Sequence, residues 1–173
     1  MNILYINDLI TLFCYQLNCK DLINFGAISK YHNYFVKKNK WKNLTIKLRS
    51  EKYLLSLINN YSFVNLDLWN TNVTDTSVSL LTNLRILDLG FTRVTDTSVS
   101  LLTKLHTLNL GYTNVTDASV SLLTNLHTLN LRYTKVTDAS VSLLTNLHTL
   151  NLWNTKITDK CKDFLKFNNV IVS

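Results

Sequence analysis

Apolar residues in the second half of the chain recur with a period of 21. Leu68, Leu89, Leu110, Leu131 and Leu152 keep that spacing, as do Val73, Val94, Val115, Val136 and Ile157, and Asp75, Asp96, Asp117, Asp138 and Asp159. One unit reads L-x-x-L-x-L-x-x-T-x-V-T-D-x-S-V-x-x-L-x-x. Within it the pattern changes. Leu87 and Leu89 alternate as in a strand with one buried face. Val99 and Leu102, three apart, then share one face of a short helix. Thr95 and Asp96 precede that helix and are suited to capping its free N–H groups. One such unit cannot bury its own apolar edge. Stacked units can, with strands about 4.8 Å apart in a parallel sheet and helices covering the other side. The predicted fold is therefore an α/β solenoid, an arc with a concave parallel sheet and short convex helices.

Both ends of the array carry strand-like segments. "WKNLTIKL", residues 41–48, places Trp41, Leu44 and Ile46 in the apolar slots, and "FNNVIVS", residues 167–173, does the same with Phe167, Val170 and Val172. The expected solenoid spans 41–173, with an opening cap over 41–62, five repeats over 63–167 and a closing strand over 167–173. That makes about seven strands. The unit resembles a leucine-rich repeat of the VTD or ITD kind, which implies an arc of this shape. Thr71, Thr92, Thr113, Thr134 and Thr155 stand where many such repeats carry Asn or Cys. Their stacked hydroxyls are expected to bond the turn of the neighbouring repeat.

Differences between the copies collect where strand alternation points side chains at the concave surface, and just beyond. The third slot holds Asn65, Ile86, Thr107, Thr128 and Thr149, and the fifth Asp67, Asp88, Asn109, Asn130 and Asn151. The seventh holds Trp69, Gly90, Gly111, Arg132 and Trp153, and the eighth Asn70, Phe91, Tyr112, Tyr133 and Asn154. Arg93, Lys135 and Lys156 extend the rim. Asp67, Trp69, Asp88, Phe91, Tyr112, Arg132, Tyr133 and Trp153 are thus the candidate protein-binding residues, since exposed aromatics and arginine on one face have hot-spot character. The competing reading is that neighbouring rings simply pack along the ladder.

Two columns invite a chemical reading. His106, His127 and His148 would stack on neighbouring strands, but identical residues at identical slots follow from copying a repeat, and no supporting carboxylate is implied. Asp67 beside Asp88 could form a carboxylate pair; an Asp/Asn ladder on a wet concave face is the preferred account of them. No nucleophile–base arrangement or zinc motif accompanies them. No catalytic, cofactor or metal residue is assigned, and the chain reads as a non-enzyme.

Upstream the texture changes. Residues 7–41 show helical apolar spacing through Leu9, Leu12 and Phe13, then Leu22, Phe25 and Ile28, then Tyr34 and Phe35, with Asn18 and Ser29 as helix boundaries. Three short helices hold too little core to stand alone. Residues 1–43 are therefore expected to be a helical segment that docks on the first repeat or on a partner. It resembles an F-box over roughly residues 4–43: Leu9, Phe13 and Leu17 match the first apolar helix, "NCKDL" the turn, and "DLINFGAISKYHNYF" the second and third helices. Ile28-Ser29-Lys30 falls in the usual "V-S-K" place, and Trp41 takes the closing tryptophan. Cys19 replaces the turn proline, and Tyr31-His32 replaces the usual Arg-Trp. The resemblance implies that Leu9, Phe13, Leu17, Leu22 and Ile28 bind a Skp-family adaptor of a ubiquitin ligase. The repeats would then hold a substrate protein and raise its effective concentration at the ligase. A plain leucine-rich-repeat scaffold, with these helices as a cap, is the alternative.

Charge adds a third reading. The net charge is +7, and residues 1–52 hold nine Lys/Arg against three Asp/Glu, leaving nine against eight for the rest. The run "KKNKWK", 37–42, would suit RNA, but without a nucleic-acid fold signature it reads as a solvated lysine face. Cys14, Cys19 and Cys161 are odd in number and fit no metal spacing, so a reduced intracellular protein, in cytoplasm or nucleus, is expected. No run approaches about 18 apolar residues, so no membrane span is expected. Asn7 and Asp8 break the first apolar run, which argues against a signal peptide. Alone, the chain is expected to be a monomer.

Overall fold

The computed structural model describes residues 41–47, 51, 54 and 63–173. The expectations for the F-box-like segment, with Leu9, Phe13, Leu17, Leu22 and Ile28, fall outside the described residues, as does most of the opening cap.

The seven strands run in chain order across one sheet: β1 Trp41–Lys47, β2 Phe63–Asp67, β3 Ile86–Asp88, β4 Thr107–Asn109, β5 Thr128–Asn130, β6 Thr149–Asn151 and β7 Ile171–Val172. Every pairing is parallel. From β2 to β6 the register advances one repeat per strand, so Leu66, Leu87, Leu108, Leu129 and Leu150 align. All five are buried, while the residues flanking each on its strand face the other side. That alternation is the strand pattern read from the leucines.

Four single-turn helices back the sheet: α1 Asp75–Val78, α2 Asp96–Val99, α3 Asp117–Val120 and α4 Asp138–Val141. A turn this short has little stability of its own. It is held by Val78, Val99, Val120 and Val141, each fully buried, and in α2, α3 and α4 also by a side-chain cap. Thr95, Thr116 and Thr137 accept at Oγ1 from the backbone N–H groups of Thr97, Ala118 and Ala139, as the cap reading expects.

The aspartates act differently from that reading. Asp75, Asp96, Asp117 and Asp138 each reach forward to the next repeat instead of capping their own helices, while Asp159 pairs with Lys162 within its own helix. Asp75 Oδ1 and Oδ2 accept from Thr95 N at 2.9 Å and Thr95 Oγ1 at 2.6 Å, and Asp75 also accepts from Ser98 Oγ. Asp96 does the same for Thr116 and Ser119, and Asp117 for Thr137 and Ser140. Asp138 closes the series on Thr158. At the opening end Glu51 takes the same role, accepting from Thr74 N and Thr74 Oγ1. Ser98, Ser119 and Ser140 are completely buried, so these carboxylates satisfy hydroxyls that water cannot reach. For Asp75, Asp96 and Asp117 burial pushes the carboxyl upward, but the hydroxyl and amide donors together outweigh it and hold each below its ordinary value.

The threonines also depart from expectation. Thr71, Thr92, Thr113 and Thr134 donate from Oγ1 at 2.6 Å to Leu68, Leu89, Leu110 and Leu131 carbonyls, inside their own turns. Each hydroxyl therefore locks its own turn and does not bridge to its neighbour.

The closing end is more helical than its apolar letters predict. Helix α5, Asp159–Phe167, runs nine residues and buries Cys161 and Leu165. Phe167 is its last residue and is 85% exposed, so it is not a strand core position. Val170 is buried, and Val172 packs against the core from the two-residue β7. A further column, Leu80, Leu101, Leu122, Leu143 and Phe164, also 21 apart, lies half-exposed just beyond or within the helices. Among the described residues no helix is long and apolar enough to cross a membrane.

Candidate functional site

The sheet forms the floor of an open trough of about 580 Å³, lined along its length by Asp67, Ile86, Asp88, Thr107, Asn109, Thr128, Asn130, Thr149 and Asn151. The fifth-slot residues do structural duty. Asp67, Asp88, Asn109, Asn130 and Asn151 each accept, at Oδ1, the backbone N–H two residues on, over 2.9–3.1 Å. This is an Asx turn, which bends the chain out of each strand. Asp88 Oδ1 also accepts from Asn109 Nδ2 at 2.9 Å. The ladder reading thus describes what the carboxylate of Asp88 does.

The candidate rim residues sit in the turns that these Asx bonds create. Trp69, Phe91, Tyr112, Tyr133 and Trp153 are 50%, 41%, 37%, 41% and 66% exposed. They stand along the margin of the trough and not on its floor. Trp69 meets Phe91 edge-on at 5.7 Å, Phe91 stacks on Tyr112 at 4.0 Å, and Tyr112 stacks on Tyr133 at 4.4 Å. The Arg132 guanidinium lies 5.0 Å from the Tyr112 ring centre. Neighbouring rings do pack on one another, then, but they remain exposed while doing so.

The backbone beneath these rings is unusual. Phe91, Tyr112 and Tyr133 have φ of 58°, 60° and 56°, in the left-handed region. The same slot in the first and last copies holds Asn70 and Asn154, with φ of 54° and 55°. Asparagine tolerates that region, whereas bulky side chains rarely enter it. Glycine precedes two of the rings without using its own freedom there. A Cβ on Gly90 would come within 3.1 Å of Trp69 Cδ1, and one on Gly111 within 2.9 Å of Arg132 Cγ. The two glycines leave room for the large side chains of adjacent copies.

The opposite margin carries a row that the histidine column only half announced. Arg85 precedes His106, His127 and His148 at the same slot. Consecutive imidazoles stack at 5.1 and 5.3 Å, with planes within 9° and 5°. Their Nδ1 atoms lie 3.1, 2.9 and 2.8 Å from the carbonyls of Lys104, Asn125 and Asn146. Parallel rings with one nitrogen already engaged do not converge on a common point. Among the described residues, no group of three or more potential ligands could hold a metal ion.

Stacked strand–turn–helix units, an Asx and threonine turn ladder and a long concave sheet define the class: a leucine-rich-repeat solenoid. Residues 80–103, 101–123 and 122–144 each match a family profile described as Leucine Rich repeat. Among solved structures the chain is similar to an internalin (inlF) of Listeria monocytogenes, at 21% identity and TM-score 0.54 over 77% of this chain. It is also similar to an internalin C2 (inlC2) of the same organism, at 18% identity and TM-score 0.54 over 89% of this chain. The match takes in 46% of the first structure's chain and 80% of the second's. At these identities the likeness is one of fold. No curated protein matches the sequence significantly. Proteins of this architecture generally use their extended concave surfaces in protein interaction.

Proposed function

We propose that this chain is a protein-interaction adaptor, the substrate-recognition subunit of an SCF-type ubiquitin ligase. Its N-terminal segment binds the Skp-family adaptor, and the trough with its aromatic rim holds a target protein. One observation carries the binding half. Three aromatics occupy a left-handed position for which this same chain uses asparagine at both ends of the array. Departures from local backbone preference concentrate at functional sites. The rings are exposed, rigid, large and flanked by arginine, the composition of a hot spot.

The ligase half rests on the resemblance of Leu9, Phe13, Leu17, Leu22 and Ile28 to an F-box. A second reading, a leucine-rich-repeat scaffold with no ubiquitin link, is favoured by the confinement of the family match to residues 80–144. Affinity capture with a purified Skp-family adaptor separates the two. The full chain should retain the adaptor and a chain lacking residues 1–40 should not, by a margin of at least about tenfold. Equal retention would remove the ligase reading and leave the scaffold.

A further inference from the structure

We propose that the row Arg85–His106–His127–His148 is a docking strip for the acidic face of a partner helix, and that it engages on acidification. This deepens the protein-binding reading, on which it rests, by naming the chemistry of one margin of the trough.

The row is built to be rigid. Its backbone carries the sheet ladder, with His106 N, His127 N and His148 N donating at 2.8 Å to the carbonyls of Arg85, His106 and His127. Each Nδ1 is fixed on a carbonyl, which can only accept. Nδ1 therefore carries the proton of the neutral ring and Nε2 is the acceptor. Arg85 Nη1 lies 3.0 Å from His106 Nε2 and 3.3 Å from Nδ1, so the guanidinium sits beside that ring and continues the row. His127 and His148 are exposed, and their Nε2 atoms have no hydrogen-bond partner among the described residues.

In the neutral state those two edges offer acceptors. Histidine is the side chain that changes charge between about pH 5 and 8, and protonation turns each edge into a cationic donor beside a permanent guanidinium. The surroundings do not neutralise the charge. Lys104 lies close by with its Nζ on Asn83 Oδ1. Beyond His148 come Val170 and Ile171, which are uncharged. The acids of the trough floor, Asp67 and Asp88, lie three positions along their strands, roughly 10 Å away. Such a row attracts carboxylates, and does so more strongly in acid.

Spacing selects the partner's form. The rings advance by 5.1 and 5.3 Å. An α-helix presents one residue per face every turn of about 5.4 Å, so carboxylates at i, i+4, i+7 and i+11 keep step along the row. An extended strand presents same-face residues about 6.6 Å apart and falls out of step within two rings.

The probe is a fluorescein-labelled helical peptide with four glutamates on one face, compared with a peptide of identical composition whose glutamates are scattered around the helix. Anisotropy titrations use the full chain near pH 5.5 and near pH 7.5. The faced peptide should bind about tenfold more tightly at the lower pH. The His127→Gln/His148→Gln variant should lose that gain, and Arg85→Gln should weaken binding at both pH values. The Phe91→Asn/Tyr112→Asn/Tyr133→Asn variant, altered only on the opposite rim, should bind the peptide as wild type does. Failure of that rim variant to capture a protein target bears on the aromatic margin alone. The strip is overturned if the scattered peptide binds as well as the faced one, if the pH gain survives in the histidine variant, or if a single-stranded oligonucleotide displaces the peptide at lower concentration than unlabelled peptide does.

Discussion

Asp117→Ala is expected to lower the stability of the array by about 3 kcal/mol, read as a shift of the urea midpoint followed by circular dichroism. The substitution removes the acceptor of three hydrogen bonds at once, from Thr137 N, Thr137 Oγ1 and Ser140 Oγ. Ser140 is fully buried, and its one remaining contact, with the Thr137 carbonyl, is long at 3.5 Å. A buried hydroxyl left so poorly satisfied costs about 1–3 kcal/mol by itself. Asp117→Asn keeps one acceptor oxygen and should fall between the two. Repeat arrays are held by nearest-neighbour interfaces, so the transition should also broaden as the third and fourth helices uncouple.

The same ladder gives the array a sensitivity to acid. Asp75, Asp96 and Asp117 sit below their ordinary values, because burial, which pushes them up, is outweighed by their hydroxyl and amide donors. Asp138 is lowered by the Thr158 hydroxyl and amide, and Glu51 by the Ser77 and Thr74 hydroxyls. A carboxyl that titrates lower in the folded chain stabilises it fully above its unfolded value, near about 4. That contribution is lost as pH falls through the folded value. The melting temperature should therefore drop more steeply below about pH 4 in the wild type than in Asp117→Ala, whose ladder is already broken.

Leu129→Ala tests the core on the other side of the same repeat. Leu129 is 1% exposed in the middle of β5, aligned with Leu108 and Leu150. Neighbours clamped by parallel pairing on both sides cannot collapse far into the gap, so the loss should be about 3–5 kcal/mol. Leu122→Ala removes the same side chain from a half-exposed position and should cost about 1 kcal/mol or less. Equal losses at the two sites would mean that the buried and exposed leucine columns had been assigned to the wrong faces.

Leu129 shows what was legible in the residues, since its alternation with Thr128 and Asn130 assigned strand, face and register together. Asp117 shows where legibility stopped. Its copies announced a shared role, but no one-dimensional pattern says whether an acceptor serves its own helix or the helix 20 residues on. Thr113 shows the reverse case, bonding its own turn where its column suggests a bridge to the neighbour. Phe167 reads as strand from its letters, because the 21-residue template allows only a single helical turn, yet it ends a nine-residue helix. The i, i+4 pair Cys161 and Leu165 was the available sign that the last helix runs longer. For the rim, the letters gave the aromatics their place but not their backbone. Asn70 and Asn154 at the same slot were the one clue that Phe91, Tyr112 and Tyr133 occupy a left-handed position.

The central claim is that those three rings are a binding surface laid on a scaffold that does not need them. Each left-handed aromatic costs about 1–2 kcal/mol, and each ring pair returns about 0.5–1.5 kcal/mol. Replacing all three by the asparagine already used at positions 70 and 154 should leave stability within about 2 kcal/mol of wild type. The deciding measurement is cross-linked capture of protein targets from cell extract by wild type and by Phe91→Asn/Tyr112→Asn/Tyr133→Asn, with urea midpoints taken on the same preparations. Targets held by the wild type and lost by the variant, at matched midpoints, are the predicted result. Undiminished capture by a folded variant, or collapse of the array in the variant, would show the rings to be packing residues and contradict the claim.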